Sequence, residues 1–99
     1  MNEFPQEIVD FDNKAKKLFF SLYEKFAESA KQLDRNKDDN VFQQQQGKYL
    51  NTLKTQLENL AQDLLSKNSS LKNITLLNKK LRDEINNYMN EFMQKSRGL

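Results

Sequence analysis

Histidine, cysteine and tryptophan are all absent from these 99 residues. Without cysteine there is no disulfide framework, no thiol nucleophile and no thiolate for zinc. Without histidine the usual general base near neutral pH is missing, so any catalysis would fall to carboxylates, lysines and hydroxyls. No glycine-rich phosphate loop, nucleophile elbow or HExxH pattern occurs. The expectation is a protein that is not an enzyme and holds no cofactor. Glycine and proline are also scarce, at two and one residues, and β-branched residues are few. Both scarcities disfavour sheets and turns and favour long helices.

Two further absences bound location and partners. No window approaches the roughly 20 apolar residues of a membrane span. The opening MNEFPQEIVDFD carries acids where a secretory signal would carry basic residues, and no apolar core follows it. A cytoplasmic protein is expected. Sixteen Lys and Arg against fourteen Asp and Glu leave a formal charge of only +2, with both signs interleaved along the chain. That is far from the clustered positive surface that phosphate neutralisation demands, so no nucleic-acid partner is expected. The length fits one domain, residues 1–99.

What is present is helical periodicity. Pro5 suits a first helical position, and Ile8, Phe11, Ala15, Leu18, Leu22, Phe26, Ala30 and Leu33 follow at steps of three and four, with Phe19 and Tyr23 widening the stripe. A helix over about 5–33 is predicted. Residues 34–40 carry no apolar side chain and read as a loop, after which Asn40, with Gln43 three residues on, forms a capping-box pattern. From Gln46 to Phe92 apolar positions recur in an unbroken alternation of threes and fours, with Lys67 and Asn78 as polar members of the seam.

Two architectures satisfy that pattern. Asn68, Ser69 and Ser70 are poor helix formers and good caps, and a turn there would give helices over about 41–67 and 70–97. Three segments of similar length, each about 40 Å long, would then fold as an all-α antiparallel three-helix bundle. The alternative is one long heptad helix over 41–97, with helix 1 folded back on it and a second copy completing a dimeric coiled coil in which Asn78 fixes register. The matched lengths favour the bundle.

The loop DRNKDDNVFQQQ, residues 34–45, places Asp34, Asn36 and Asp38 at alternate positions and Val41 at the eighth. In this it resembles the calcium loop of the EF-hand family, and the resemblance would make those three residues metal ligands. The chain departs from the family where Asp39 stands for the turn glycine and Gln45 for the bidentate glutamate. A solvated linker explains the same residues without a metal.

Most aromatic residues fall on the apolar stripe and read as core. Phe20 lies off it, Phe42 precedes the regular heptads, and Met89, Phe92 and Met93 form an adaptable cluster near the end of the chain. These five are the candidate partner-binding residues. The run of glutamines at 43–46 reads as helix surface. The segments YLNTLKTQLENL and LKNITLLNKKLRDEI look like the heptad helices of small export chaperones of flagellar and type III secretion systems. That resemblance would imply a protein partner and assigns no residue. The function expected is protein binding of an adaptor, chaperone or inhibitor type through an apolar helical face. Self-association as a structural coiled coil is the main alternative, and a calcium-binding role is another.

Overall fold

The computed structural model describes residues 5–34, 36–67 and 74–99. Three helices account for most of them: α1 over Pro5–Ala30, α2 over Asp39–Lys67 and α3 over Ile74–Ser96. α1 starts where Pro5 predicts it, with Glu7 in the first turn against the positive end of the helix dipole. It ends three residues sooner than the apolar stripe suggested. The amides of Gln32 and Leu33 donate to the carbonyls of Ser29 and Ala30, which tightens the chain into a closing turn. Leu33 still packs against the core from outside the helix, which is why the pattern included it.

α2 begins earlier than its predicted cap. The carbonyl of Asp38 accepts the amide of Phe42 at 2.9 Å, so Asp38, and not Asn40, stands at the cap position. Asp39 then occupies the first turn, where the dipole favours a carboxylate, and Gln43 donates to that carboxylate at 3.0 Å. The expected turn at Asn68 to Ser70 lies outside the described residues, as does the predicted start of α3 at residue 70.

Polar contacts between the helices show how they run. Ser29 near the end of α1 meets Gln45 near the start of α2, and Gln46 meets Ser96 at the end of α3. Tyr88 reaches back from α3 to Asp12, while Tyr23 donates to the Lys95 carbonyl. α1 and α3 are therefore parallel, with α2 antiparallel to both, in an up-down-up bundle. One unbroken helix over 41–97 could not lay α3 beside α2, so the fold is the three-helix bundle that the matched lengths favoured, and the long-helix alternative is excluded. The radius of gyration is 15.8 Å and the extents are 53 × 21 × 17 Å. This exceeds the roughly 13 Å of a rounded domain of this length, because three rods of 26, 29 and 23 residues lie side by side.

The core has an aromatic end and an aliphatic end. Phe26 is fully buried, with its ring 5.3 Å from those of Phe42 and Tyr49 and 6.1 Å from that of Phe92. Phe19 and Tyr23 complete that cluster around Phe92. Towards the other end Leu57, Leu77 and Leu81 are fully buried, with Phe11, 2 % exposed, as a ring among aliphatic side chains. The buried stripe of α1 runs Ile8, Phe11, Ala15, Phe19, Leu22, Phe26, Ala30, in steps of three, four and four. That of α3 runs Leu77, Leu81, Ile85, Tyr88, Phe92, Ser96. Both follow an eleven-residue period, which drifts about 20° in eleven residues against about 20° in seven for a heptad, and so stays on one face of a nearly straight helix. Phe19 accordingly takes the deep position expected of Leu18, and Leu77 takes that of Asn78.

Gly47 sits mid-helix on an exposed side of α2, and a methyl group added there would meet nothing within 4 Å. Gly47→Ala is expected to stabilise the protein by about 0.5–1 kcal/mol through chain entropy alone. A denaturant midpoint that fails to rise would contradict this.

Candidate functional site

The five residues expected to form a partner surface do not share one. Phe42 is 2 % exposed and Phe92 is 0 % exposed, so both are core. They close over Phe26 because the first turn of α2 and the last turns of α3 converge on the end of α1. Met89 is half-buried and packs against the core, and Met93 is half-buried beside Ser96, whose hydroxyl donates to its carbonyl. Eleven residues separate Met89 from Asn78 and Met93 from Arg82, so both methionines continue the α3 flank that faces the α2/α3 groove. Phe20 is different. It is 57 % exposed, the most exposed of the large apolar side chains on the described surface.

Phe20 stands beside a hollow between α1 and α3. Its ring meets that of Phe19 edge to face at 6.1 Å. Lys16, Phe19, Phe20, Tyr88, Glu91 and Lys95 line the space, about 320 Å³ in volume. Phe19 and Tyr88 supply an apolar floor. Glu91 and Lys95 form an ion pair at 3.4 Å on one rim, and the Lys95 ammonium lies 5.4 Å from the centre of the Phe19 ring.

Farther along the same seam lies a carboxyl cluster. The Tyr88 hydroxyl donates to Oδ1 of Asp12 at 3.1 Å, a contact across 76 residues of chain. Glu84, one turn before Tyr88, lines the same groove as Asp12. Burial raises the Glu84 carboxyl above its ordinary value, and a hydrogen bond with Asp12, the charge of Asp12 and then that of Asp83 raise it further. Tyr88 is pushed well above its ordinary range, first by burial and then by the charge and hydrogen bond of Asp12. A carboxyl that binds its proton more tightly when folded lowers stability as pH rises through its folded pKa. Glu84→Gln retains a hydrogen-bond donor for Asp12 and removes the repelling charge. Its Tm is expected to exceed that of the wild type at pH 7, with the gap closing as pH falls towards 4.5, the ordinary value. Parallel Tm–pH curves for the two proteins would refute this.

The residues of the calcium-loop pattern do come together, in hydrogen bonds among themselves. Asp34 Oδ1 accepts the amide of Asn36, and Asp38 Oδ2 accepts the amide of Asp34, each at 3.0 Å. Because α2 starts at Asp39, residues 39–45 are helical, and the Gln45 side chain is directed to the Ser29 hydroxyl at 2.7 Å. Among the described residues no group of three or more acidic side chains converges in a way that could hold a metal ion.

The two polar seam positions of the heptad pattern lie at the surface. Lys67 is exposed and pairs with Asp63 at 3.1 Å, and Asn78 lines the α2/α3 groove with Lys54, Glu58 and Arg82. Sequence reasoning also missed a polar layer at the aromatic end. Gln46 donates to the fully buried Ser96 hydroxyl at 2.6 Å, and Gln45 accepts from Ser29. Half of the glutamine run thus ties α2 to its neighbours. The available signal was the position of Ser96, four residues after Phe92 on the buried stripe.

No protein-family model, curated protein or solved structure matches the chain. Among the described residues no helix is long and apolar enough to cross a membrane.

Proposed function

We infer that this protein is a non-enzymatic binding module of the adaptor, chaperone or inhibitor type, which engages another polypeptide through the α1 face that carries Phe20. The observation behind it is a large aromatic side chain, 57 % exposed, held beside an open hollow with an aromatic floor. The other aromatics of α1 are buried or half-buried, and exposing a phenylalanine gains the fold nothing. Aromatic side chains seated in pockets are the usual anchors of protein interfaces. The composition agrees, since neither histidine nor cysteine is available for chemistry. A cytoplasmic location accompanies this assignment, on the strength of the cysteine-free composition.

The test is capture of partners by tagged protein from its native cells, repeated with Phe20→Ala. An equimolar polypeptide should be recovered by the wild type and weakened by the variant by about thirtyfold, or about 2 kcal/mol, at unchanged Tm. Equal recovery by both proteins would rule out the Phe20 face.

A further inference from the structure

The face around Phe20 is complementary to itself. Phe20 is a projecting ring, and the hollow beside it is an unfilled receptor on the same surface. Its volume of about 320 Å³ is ample for a ring, given that an apolar cavity of about 150 Å³ accepts benzene. The charges on α1 are also divided about Phe20. Lys16 and Lys17 lie about one turn before it and Glu24 one turn after, all three exposed. None of the three has an ion-pair partner among the described residues. Asn13 and Ala27 lie one turn farther out on the same face, with no bulky group to keep a second helix away.

We propose that a second copy of this chain docks antiparallel across the outer face of α1, each Phe20 entering the hollow beside the other. In such a two-fold arrangement every contact occurs twice. Lys16 and Lys17 of one copy lie against Glu24 of the other, and the reverse pair repeats on the far side of the axis. A parallel arrangement would bring the lysines onto their own counterparts, so the charge division selects the antiparallel form. The partner ring would take the place of the Lys95 ammonium over Phe19, beside Tyr88, where edge-to-face contact is favourable. The contact covers one face of α1 and the adjoining hollow against α3, at the small end of the range for specific interfaces, so association in the micromolar range is expected. This dimer is unlike the heptad coiled coil, because it uses α1 and leaves Asn78 untouched. It rests on the assignment of Phe20 as the binding face and names what covers it.

Sedimentation and light scattering of the full chain over about 10 µM to about 1 mM test it. The wild-type mass should rise with concentration from 11.7 kDa towards twice that value. Phe20→Ala should weaken the dimer at least tenfold. The paired variant Lys16→Glu with Lys17→Glu, and separately Glu24→Lys, should each lose self-association, because like charges then meet at both ends. Mixed in equal amounts, these two variants should associate again, since every acid then faces a lysine. Circular dichroism and Tm confirm that each variant is folded before its mass is read. A wild type that stays monomeric throughout would overturn the proposal, as would folded charge variants that remain monomeric when mixed. If the wild type is monomeric and a different polypeptide is captured in a Phe20-dependent way, the second copy is excluded and the binding face stands. If capture also fails, both are excluded.

Discussion

Replacing Phe26 with alanine is expected to destabilise the protein by about 3–5 kcal/mol, a large fraction of the total stability of a domain of this size. Phe26 is fully buried and its ring touches rings from both other helices: Phe42 and Tyr49 of α2, and Phe92 of α3. Truncation removes a side chain that joins all three helices at the aromatic end. The cavity left behind is walled by rigid rings that cannot collapse into it, which places the loss in the upper part of the range. Chemical unfolding monitored by helical circular dichroism measures it. The polar layer nearby should loosen too, since Ser29 and Gln45 meet across the helices that Phe26 joins. A loss below about 1 kcal/mol would mean that the aromatic end is loosely packed.

The second large effect separates two frames for the same sequence. Leu77→Ala is expected to cost about 2–5 kcal/mol, whereas Asn78→Ala should change stability by no more than about 0.5 kcal/mol. Leu77 is fully buried, while Asn78 lines an open groove with charged neighbours. In a heptad rod Leu77 would flank the seam and its truncation would cost little, while loss of Asn78 from the seam would loosen the choice of oligomer. Unfolding midpoints of the two variants, with their masses, decide between the frames. Equal losses at both positions would contradict the bundle and the rod alike.

The way these frames diverge shows what could be read from the residues. Steps of three and four are shared by a period of 3.5 and one of 3.67, and over two or three turns the two differ by less than a residue. The run from Gln46 to Phe92 therefore looked continuous even though α3 packs back beside α2. Only the identity of the buried neighbour separates the frames, and Leu77, Ala61 and Ser96 were the positions that did so. Phe42 and Phe92, offered as surface candidates, are buried for a related reason. Each lies near a helix end, where periodicity is short and weak, and each is buried because three helix ends converge there.

Phe20 was legible because it falls off an otherwise regular stripe. Its hollow was not, because Tyr88, Glu91 and Lys95 are contributed by another helix. The Tyr88–Asp12 contact, 76 residues apart in the chain, was equally invisible. The Gln45 and Gln46 contacts were hidden in a different way, since a glutamine run has the same composition whether its amides meet water or a serine.

By itself the sequence determined that this protein is helical, where its first helix begins, and which face of that helix is apolar. Those properties are local: proline geometry, propensity and a repeat close to 3.6 act within a few turns, whatever lies nearby. The matched helix lengths also favoured the bundle that forms; the tertiary structure alone decided which polar side chains are drawn inward, and that a ring on α1 stands beside an open hollow lined by α1 and α3. A hydrophobic stripe specifies that a face must be covered and leaves its neighbour undetermined. Grooves, hollows and buried hydrogen bonds belong to pairs of helices, and they exist only once the pairing is made.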